Sequence, residues 1–408
     1  MTGGEPQAEP KALGSYKELQ WPANPGAYGR KARQGGRYRA FIPDPIAKRS
    51  FLLDGEAGVS LHSAAKTLQH LEASPTRVAT LGAVAQNLLR SESVASSRIE
   101  GVLISHKRLA RAAQRALGKA RPDNPAAAVL GNVEAMKRAI AIGAESVGEA
   151  FSVDHLLEIH RLLLRFTEDK HIAGVIREAQ NWIGGNDFNP LGAEYVPPPF
   201  EYVPNLLSDL CEFIAREDLP PIAQAAIAHA QFETIHPFAD GNGRTGRALI
   251  YAILRRRGEI PNYIPPISLV LGSTPRVYIG GLTAYREGEI GDWCESFADA
   301  VARAAHQAED LANAIEDLQE AWLERLGRPR KDASASRLAA ALPEIPVIDV
   351  PSAARLIGRS HVAVGAAMDK LEAVGILRRL NERKWGRVWE CGELLELVEA
   401  FEKNVSTP

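Results

Sequence analysis

His236-Pro237-Phe238-Ala239-Asp240-Gly241-Asn242-Gly243-Arg244-Thr245-Gly246-Arg247 places a base, a carboxylate, an amide, two arginines and bare-backbone glycines in one short run. Ala223 to Glu233 before it and Ala248 to Arg257 after it read as helix, so the glycines fall where a second helix begins. A helix start presents N–H groups without intrahelical acceptors and the positive end of the macrodipole, which together bind anions. Arg244 and Arg247, three apart, share one face of that helix and can fork onto phosphate oxygens. Asp240 can hold a divalent cation through oxygen, and His236 is a base that titrates near neutrality. The stretch reads as a phosphate-handling site between two helices.

These residues fill every position of the pattern His-x-Phe-x-Asp-Gly-Asn-Gly-Arg-x-x-Arg, and on them the chain resembles the Fic family, which transfers AMP from ATP to protein hydroxyls. The resemblance implies a mainly α fold: a Fic-type helical domain with a short β-hairpin flap. It implies that His236 deprotonates the target hydroxyl and that Asp240 holds Mg2+ against the phosphates. Gly241, Asn242 and Gly243 would cradle phosphate oxygens with backbone amides and the Asn242 side chain, while Arg244 and Arg247 neutralise the β- and γ-phosphates. ATP is then the co-substrate, and the partner is an unidentified target protein or the chain itself. Doc-type relatives phosphorylate instead and carry lysine at the second glycine, so Gly243 accords with nucleotidyl transfer.

Ser96-Ser97-Arg98-Ile99-Glu100-Gly101 forms a second constellation. Ser96 and Glu100 are four apart on an expected helix near 85–101, and Gly101 is a natural stop. Glu100 sits at the negative end of that helix, where a carboxylate wants a cation. The hexapeptide resembles the family's inhibitory motif, which implies that Glu100 pairs with Arg247 and blocks the γ-phosphate position.

Composition bounds the rest. With 408 residues, 45% hydrophobic and 24% charged, the chain can bury at least two ordinary cores. A net charge of −2 argues against a protein dominated by polyanion binding, though a local basic patch is compatible with it. Cys211, Cys294 and Cys391 form no Cys-x-x-Cys pair, so neither a zinc site nor a disulfide framework is indicated, and a cytoplasmic location suits them. The first residues lack the basic start and apolar run of a leader, and no apolar run of about 18 residues occurs, so no membrane partner is expected.

Along the chain, residues 1–50 read as an extended N-terminal arm rich in proline and glycine, and 51–326 as the helical catalytic domain. Its one clear interruption is Trp182 to Pro204, where Glu194-Tyr195-Val196 could form a short strand. In the family this place holds the flap, which docks the target by strand addition. Leu282 and Arg286 fall at the family's adenine-pocket positions, but Ile279 replaces its second tyrosine, which leaves AMP or UMP transfer open. His229 reads as a core histidine, and Asp154, His155 and His160 as a helix start and exposed face.

Residues 327–336 read as a polar linker and 337–408 as a small domain resembling a winged helix-turn-helix. Val350 to Glu390 carries eight Lys/Arg against four Asp/Glu, clustered at Arg378, Arg379, Arg383, Lys384 and Arg387. The candidate recognition helix offers Ala363, Val364, Gly365, Ala366 and Ala367, few of which can read a base edge. This domain could contact DNA or a protein, so a DNA-binding regulator with a nucleotide-sensing site is the alternative function, as is an enzyme that also removes AMP. A homodimer also stays open.

Overall fold

The apolar steps of three and four that run from about residue 60 to 326 are helices in the computed structural model, which describes residues 12–53, 55–72, 75–117, 123–381 and 386–406. In chain order they begin with β1 (Gly14–Trp21), α1 (Arg30–Arg33), β2 (Gly36–Pro43), α2 (Gly55–Glu72), α3 (Pro75–Ile99), α4 (His106–Leu117), α5 (Asn124–Glu145) and α6 (Val153–Leu164). Next come α7 (Val203–Ile214), α8 (Pro221–Ile235), α9 (Asn242–Arg256), α10 (Ile267–Ser273), α11 (Pro275–Glu287) and α12 (Ile290–Arg325). The chain closes with α13 (Ser334–Ala341), β3 (Val347–Asp349), α14 (Val350–Ile357), α15 (His361–Ala373), β4 (Arg378–Arg379), β5 (Val388–Glu390) and α16 (Gly392–Ser406). No helix among the described residues is long and apolar enough to cross a membrane.

Two compact units share these elements. The first comprises residues 1–64, 137–259 and 276–299. Its axis is α8, buried from Ile222 to Ile235. A helix surrounded on all sides carries apolar residues all round, which is why α8 lacks the one-sided stripe of a surface helix. Pro221 starts it, since the first helical position needs no N–H. The arm expected to be merely extended is, in its described part, an antiparallel pair of β1 and β2 in register from Gly14↔Pro43 to Trp21↔Gly36. Both faces of β2 find packing partners: Ala40 and Phe41 are adjacent and buried, Phe41 lies against Tyr195, and Trp21 of β1 is edge-on to Trp182.

The second unit comprises residues 65–136, 260–275 and 300–408. The expected break at 327–336 is therefore no boundary between units, and α13 begins inside that polar stretch. Specific polar contacts tie the C-terminal segment to the helices before it. Glu402 of α16 accepts from Ser91 Oγ of α3 at 2.7 Å and faces His106 Nδ1 of α4 at 3.1 Å, all of them buried. Asn87 donates to the Pro343 carbonyl, and Trp322 and Arg325 of α12 both donate to Glu393. A polar composition marks surface, but it does not exclude such anchoring.

Within that segment the expected order of two helices and a returning strand pair is present, and β3 adds a third strand in the order β3-β5-β4. Asp349 and Ser360 cap α14 and α15 by accepting from the amides of Ser352 and Ala363. The strand cations are engaged internally: Arg378 with Glu390, Arg379 with Glu372, and Arg387 with Asp369. Arg383 and Lys384 lie outside the described residues.

Candidate active site

Helix α8 stops at His236, whose backbone is left-handed at φ 50 and ψ 60. For a residue with a Cβ this conformation costs roughly 1–2 kcal/mol, so surrounding contacts must hold it. They come from the turn after α6. Arg177 Nε donates to the His236 carbonyl at 2.9 Å, and its other nitrogens reach the carbonyls of Ala179, Pro198 and Ile235. The Arg177 amide donates to the Pro237 carbonyl at 3.0 Å. Asn181 Nδ2 donates to the carbonyls of His236 and Phe238. Burial pulls Arg177 down to about 10, which leaves it a cation at neutral pH, set at the negative end of α8.

His236 Nδ1 lies 3.4 Å from the Glu233 carbonyl oxygen. A carbonyl only accepts, so this contact is made by a His236 ring that carries a proton on Nδ1.

The following loop is stitched from inside. Asn242 Oδ1 accepts from the Phe238 amide and Nδ2 donates to the Phe238 carbonyl, both at 2.8 Å. The Asn242 side chain thus braces the loop through its oxygen and one of its two N–H groups. The N-cap of α9 is Gly241 at φ 77, where a Cβ would come within 2.9 Å of Leu163 Cδ2. The first amides of α9, from Asn242 through Arg244, have no carbonyl one turn back and remain as anion donors. Arg244 and Arg247 are buried in the first turns of that helix, and Arg244 also donates to Asp240 Oδ2 at 3.0 Å.

His160, expected on an exposed face, is fully buried. Its Nδ1 accepts the Gly174 amide at 2.9 Å, so Nε2 carries the proton and donates to the Asp240 carbonyl at 2.9 Å. Its ring stacks on Phe238 with centroids 3.7 Å apart. Burial pulls it down to about 4, so it is a neutral strut under the Asp240 backbone. His229 is the expected core histidine, pulled down to about 3 by burial and then by Arg247, and it faces Tyr278 Oη at 2.8 Å.

Asp240 is the carboxylate of the loop, and its side chain is 55% exposed beside Arg244. Among the described residues no group of three or more His, Cys, Asp or Glu could hold a metal ion. A lone carboxylate at an anion-binding helix start fits a hard cation that takes its remaining oxygens from phosphates and water, as Mg2+ does.

The expected flap is reduced to one antiparallel bridge, Ile183↔Tyr195. Pro197 to Pro199 cannot donate to a ladder, so the pairing ends there. Of the three expected docking residues only Glu194 is exposed. Tyr195 and Val196 are buried: the Tyr195 hydroxyl donates to the Thr234 carbonyl, and the Val196 carbonyl accepts from the Phe41 amide of β2. Arg286, expected at an adenine pocket, has its guanidinium 4.2 Å from the Tyr195 ring centre and donates to Thr283 Oγ1. Leu282 is half-buried on the same helix, α11.

In the second unit, α3 ends in a full Schellman arrangement. Gly101 has φ 78, its amide donates to the Arg98 carbonyl, and the Val102 amide donates to the Ser97 carbonyl. Glu100 is thereby the exposed C-cap residue, while Ser96 is buried one turn earlier. The helix is anchored by Asn132 Nδ2, which donates to the Ser93 carbonyl and Ser97 Oγ, and by Glu92, which accepts from the Ser268 amide.

Parts of the chain are similar to known proteins. A family model described as "Fic/DOC family" matches residues 150–254, and one described as "Fic/DOC family N-terminal" matches residues 59–141. Protein adenylyltransferase fic-1 of Caenorhabditis briggsae is 38% identical over 117 residues, covering 28% of this chain and 21% of that protein. A probable protein adenylyltransferase of Aquifex aeolicus is 42% identical over 74 residues, covering 18% of this chain and 23% of that protein. The chain thus spans about a fifth of the length of the curated relatives it matches. Among solved structures, a Fic family protein from Desulfovibrio desulfuricans G20 shares the fold at TM-score 0.50 and 19% identity, covering 84% of this chain and 97% of that one.

Proposed function

We propose that the chain, whose residues 59–141 and 150–254 match models of the Fic/DOC family, is a protein adenylyltransferase of that family, moving AMP from ATP to a hydroxyl side chain of a target protein. One observation carries the proposal: His236, its backbone held left-handed by Arg177, stands immediately before the anion-binding start of α9. Nε2 takes the proton of the target hydroxyl, and the oxygen attacks the α-phosphorus. The bond from that phosphorus to the bridging oxygen breaks, and pyrophosphate leaves. Backbone amides of Asn242 to Arg244 receive the phosphate oxygens, and Arg244 and Arg247 balance charge on the leaving group. Mg2+, held by Asp240, would neutralise phosphate charge when bound.

We also propose that Glu100 pairs with Arg247 and occupies the γ-phosphate position, so that the resting enzyme is inhibited. Support comes from the exposed carboxylate at the negative end of α3 and from the inhibitory hexapeptide that contains it. DNA-binding regulation is not favoured, because Arg378, Arg379 and Arg387 already sit on carboxylates of their own segment. The deciding experiment incubates the chain with candidate proteins and ATP labelled at the α- or the γ-phosphate. Transfer of the α-label alone supports adenylylation, and transfer of the γ-label would replace it with phosphorylation.

A further inference from the structure

A cavity of about 600 Å3 opens beside the signature loop, lined by Val175, Ile176, Glu178, Trp182, Asp187 and Ala239 among others. Ala239 directly precedes Asp240 and lies three residues from His236, so the cavity adjoins the reacting end of the site. Part of its wall is apolar. Val175 is 51% exposed despite being aliphatic, and the Trp182 indole is held by its bond to the Asn186 carbonyl and by edge contact with Trp21.

Charge selects the occupant. Arg177 is the cation among the described lining residues, and its guanidinium is already spent on four main-chain carbonyls. Glu178 and Asp187 are exposed, and neither forms an ion pair among the described residues. The cavity therefore joins an aliphatic and aromatic wall to two unspent negative charges. A lysine or arginine side chain matches both, laying its methylenes on Val175 and Trp182 and its cation toward the carboxylates.

We propose that this cavity is the specificity pocket for the target segment, and that it accepts a lysine or arginine close in sequence to the hydroxyl that is modified. The proposal rests on the transferase reading for its reaction, but binding can be tested without transfer. The probes are fluorescent peptides with one threonine and lysine, arginine, alanine or glutamate at flanking positions. Binding to the full chain is read by anisotropy without ATP, and modification by α-labelled ATP. Basic peptides should bind and react on the order of tenfold better than alanine peptides, and the ratio should fall toward one in Glu178→Gln/Asp187→Asn. Equal use of basic and alanine peptides, or a basic preference that survives the double substitution, overturns the pocket. Transfer without such preference would remove the pocket and keep the transferase, whereas selective binding without transfer to any peptide, by the chain or by Glu100→Gly with the proposed inhibition lifted, would keep the pocket and remove the transferase.

Discussion

Arg177 Nε donates to the carbonyl of His236 at 2.9 Å, across 59 positions of sequence. The candidate base is thus held by its backbone in a left-handed turn that its own side chain does not favour. Arg177 thereby sets the position of His236 through main-chain atoms rather than through the ring.

Replacing Arg177 with methionine keeps the stem and removes the guanidinium. Release of His236 from its turn should lower kcat by roughly a hundredfold while KM for ATP changes little, since small misplacements of a reacting group carry costs of that size. Circular dichroism well below the melting temperature should report a folded protein. A fall in kcat that matches only the folded fraction would reduce Arg177 to a structural role.

His160 makes the site acid-sensitive. Its folded value near 4 is depressed by burial from the 6.5 of an unperturbed histidine, so between those values the unfolded chain binds more protons. Its stability contribution is complete above about pH 6.5 and is lost as pH falls through the folded value, amounting to about 3 kcal/mol. His229, depressed to about 3, acts in the same direction over a slightly wider window. Urea midpoints measured from pH 7 to pH 4 should fall accordingly, and a flat series would contradict both burials.

Glu402 joins α16 to α3 and α4 through Ser91 and His106. Glu402→Ala would leave those buried groups without their acceptor and should cost about 3 kcal/mol. Urea unfolding checks the size of the loss. A change below about 0.5 kcal/mol would mean that the C-terminal segment is not anchored in this way.

Asp240→Ala should abolish transfer and weaken Mg2+-dependent nucleotide binding, because it removes the carboxylate of the signature loop and frees Arg244 from its partner. Titration calorimetry with ATP, with and without Mg2+, separates the two effects. A variant that still transfers AMP in the presence of a chelator would refute a metal role for Asp240.

Much of the α8–α9 turn was legible in sequence because its signals are local: helix periodicity on both sides, a glycine at the N-cap, and cations in the first turns. The end of α3 was legible for the same reason, since Gly101 is the Schellman glycine. His160, Arg177 and Asn181 were not, because they act on main-chain atoms 55 to 80 positions away and no local spacing announces such contacts. The bracing of the loop by Asn242 was equally hidden, since its partners are the main-chain atoms of Phe238. The β1–β2 pair hid among prolines and glycines, which mark its turns and ends rather than disorder.

The most direct test of the central claim compares three forms of the 408-residue chain, unsubstituted, Glu100→Gly and His236→Ala, for incorporation of α-labelled AMP into themselves or an added target. If Glu100 holds Arg247 away from ATP, removing one charge-assisted contact of about 1.5–3 kcal/mol should raise transfer on the order of tenfold to a hundredfold in Glu100→Gly. His236→Ala should incorporate none. Label in His236→Ala equal to wild type would contradict the base assignment, and Glu100→Gly at the wild-type level would contradict the inhibition.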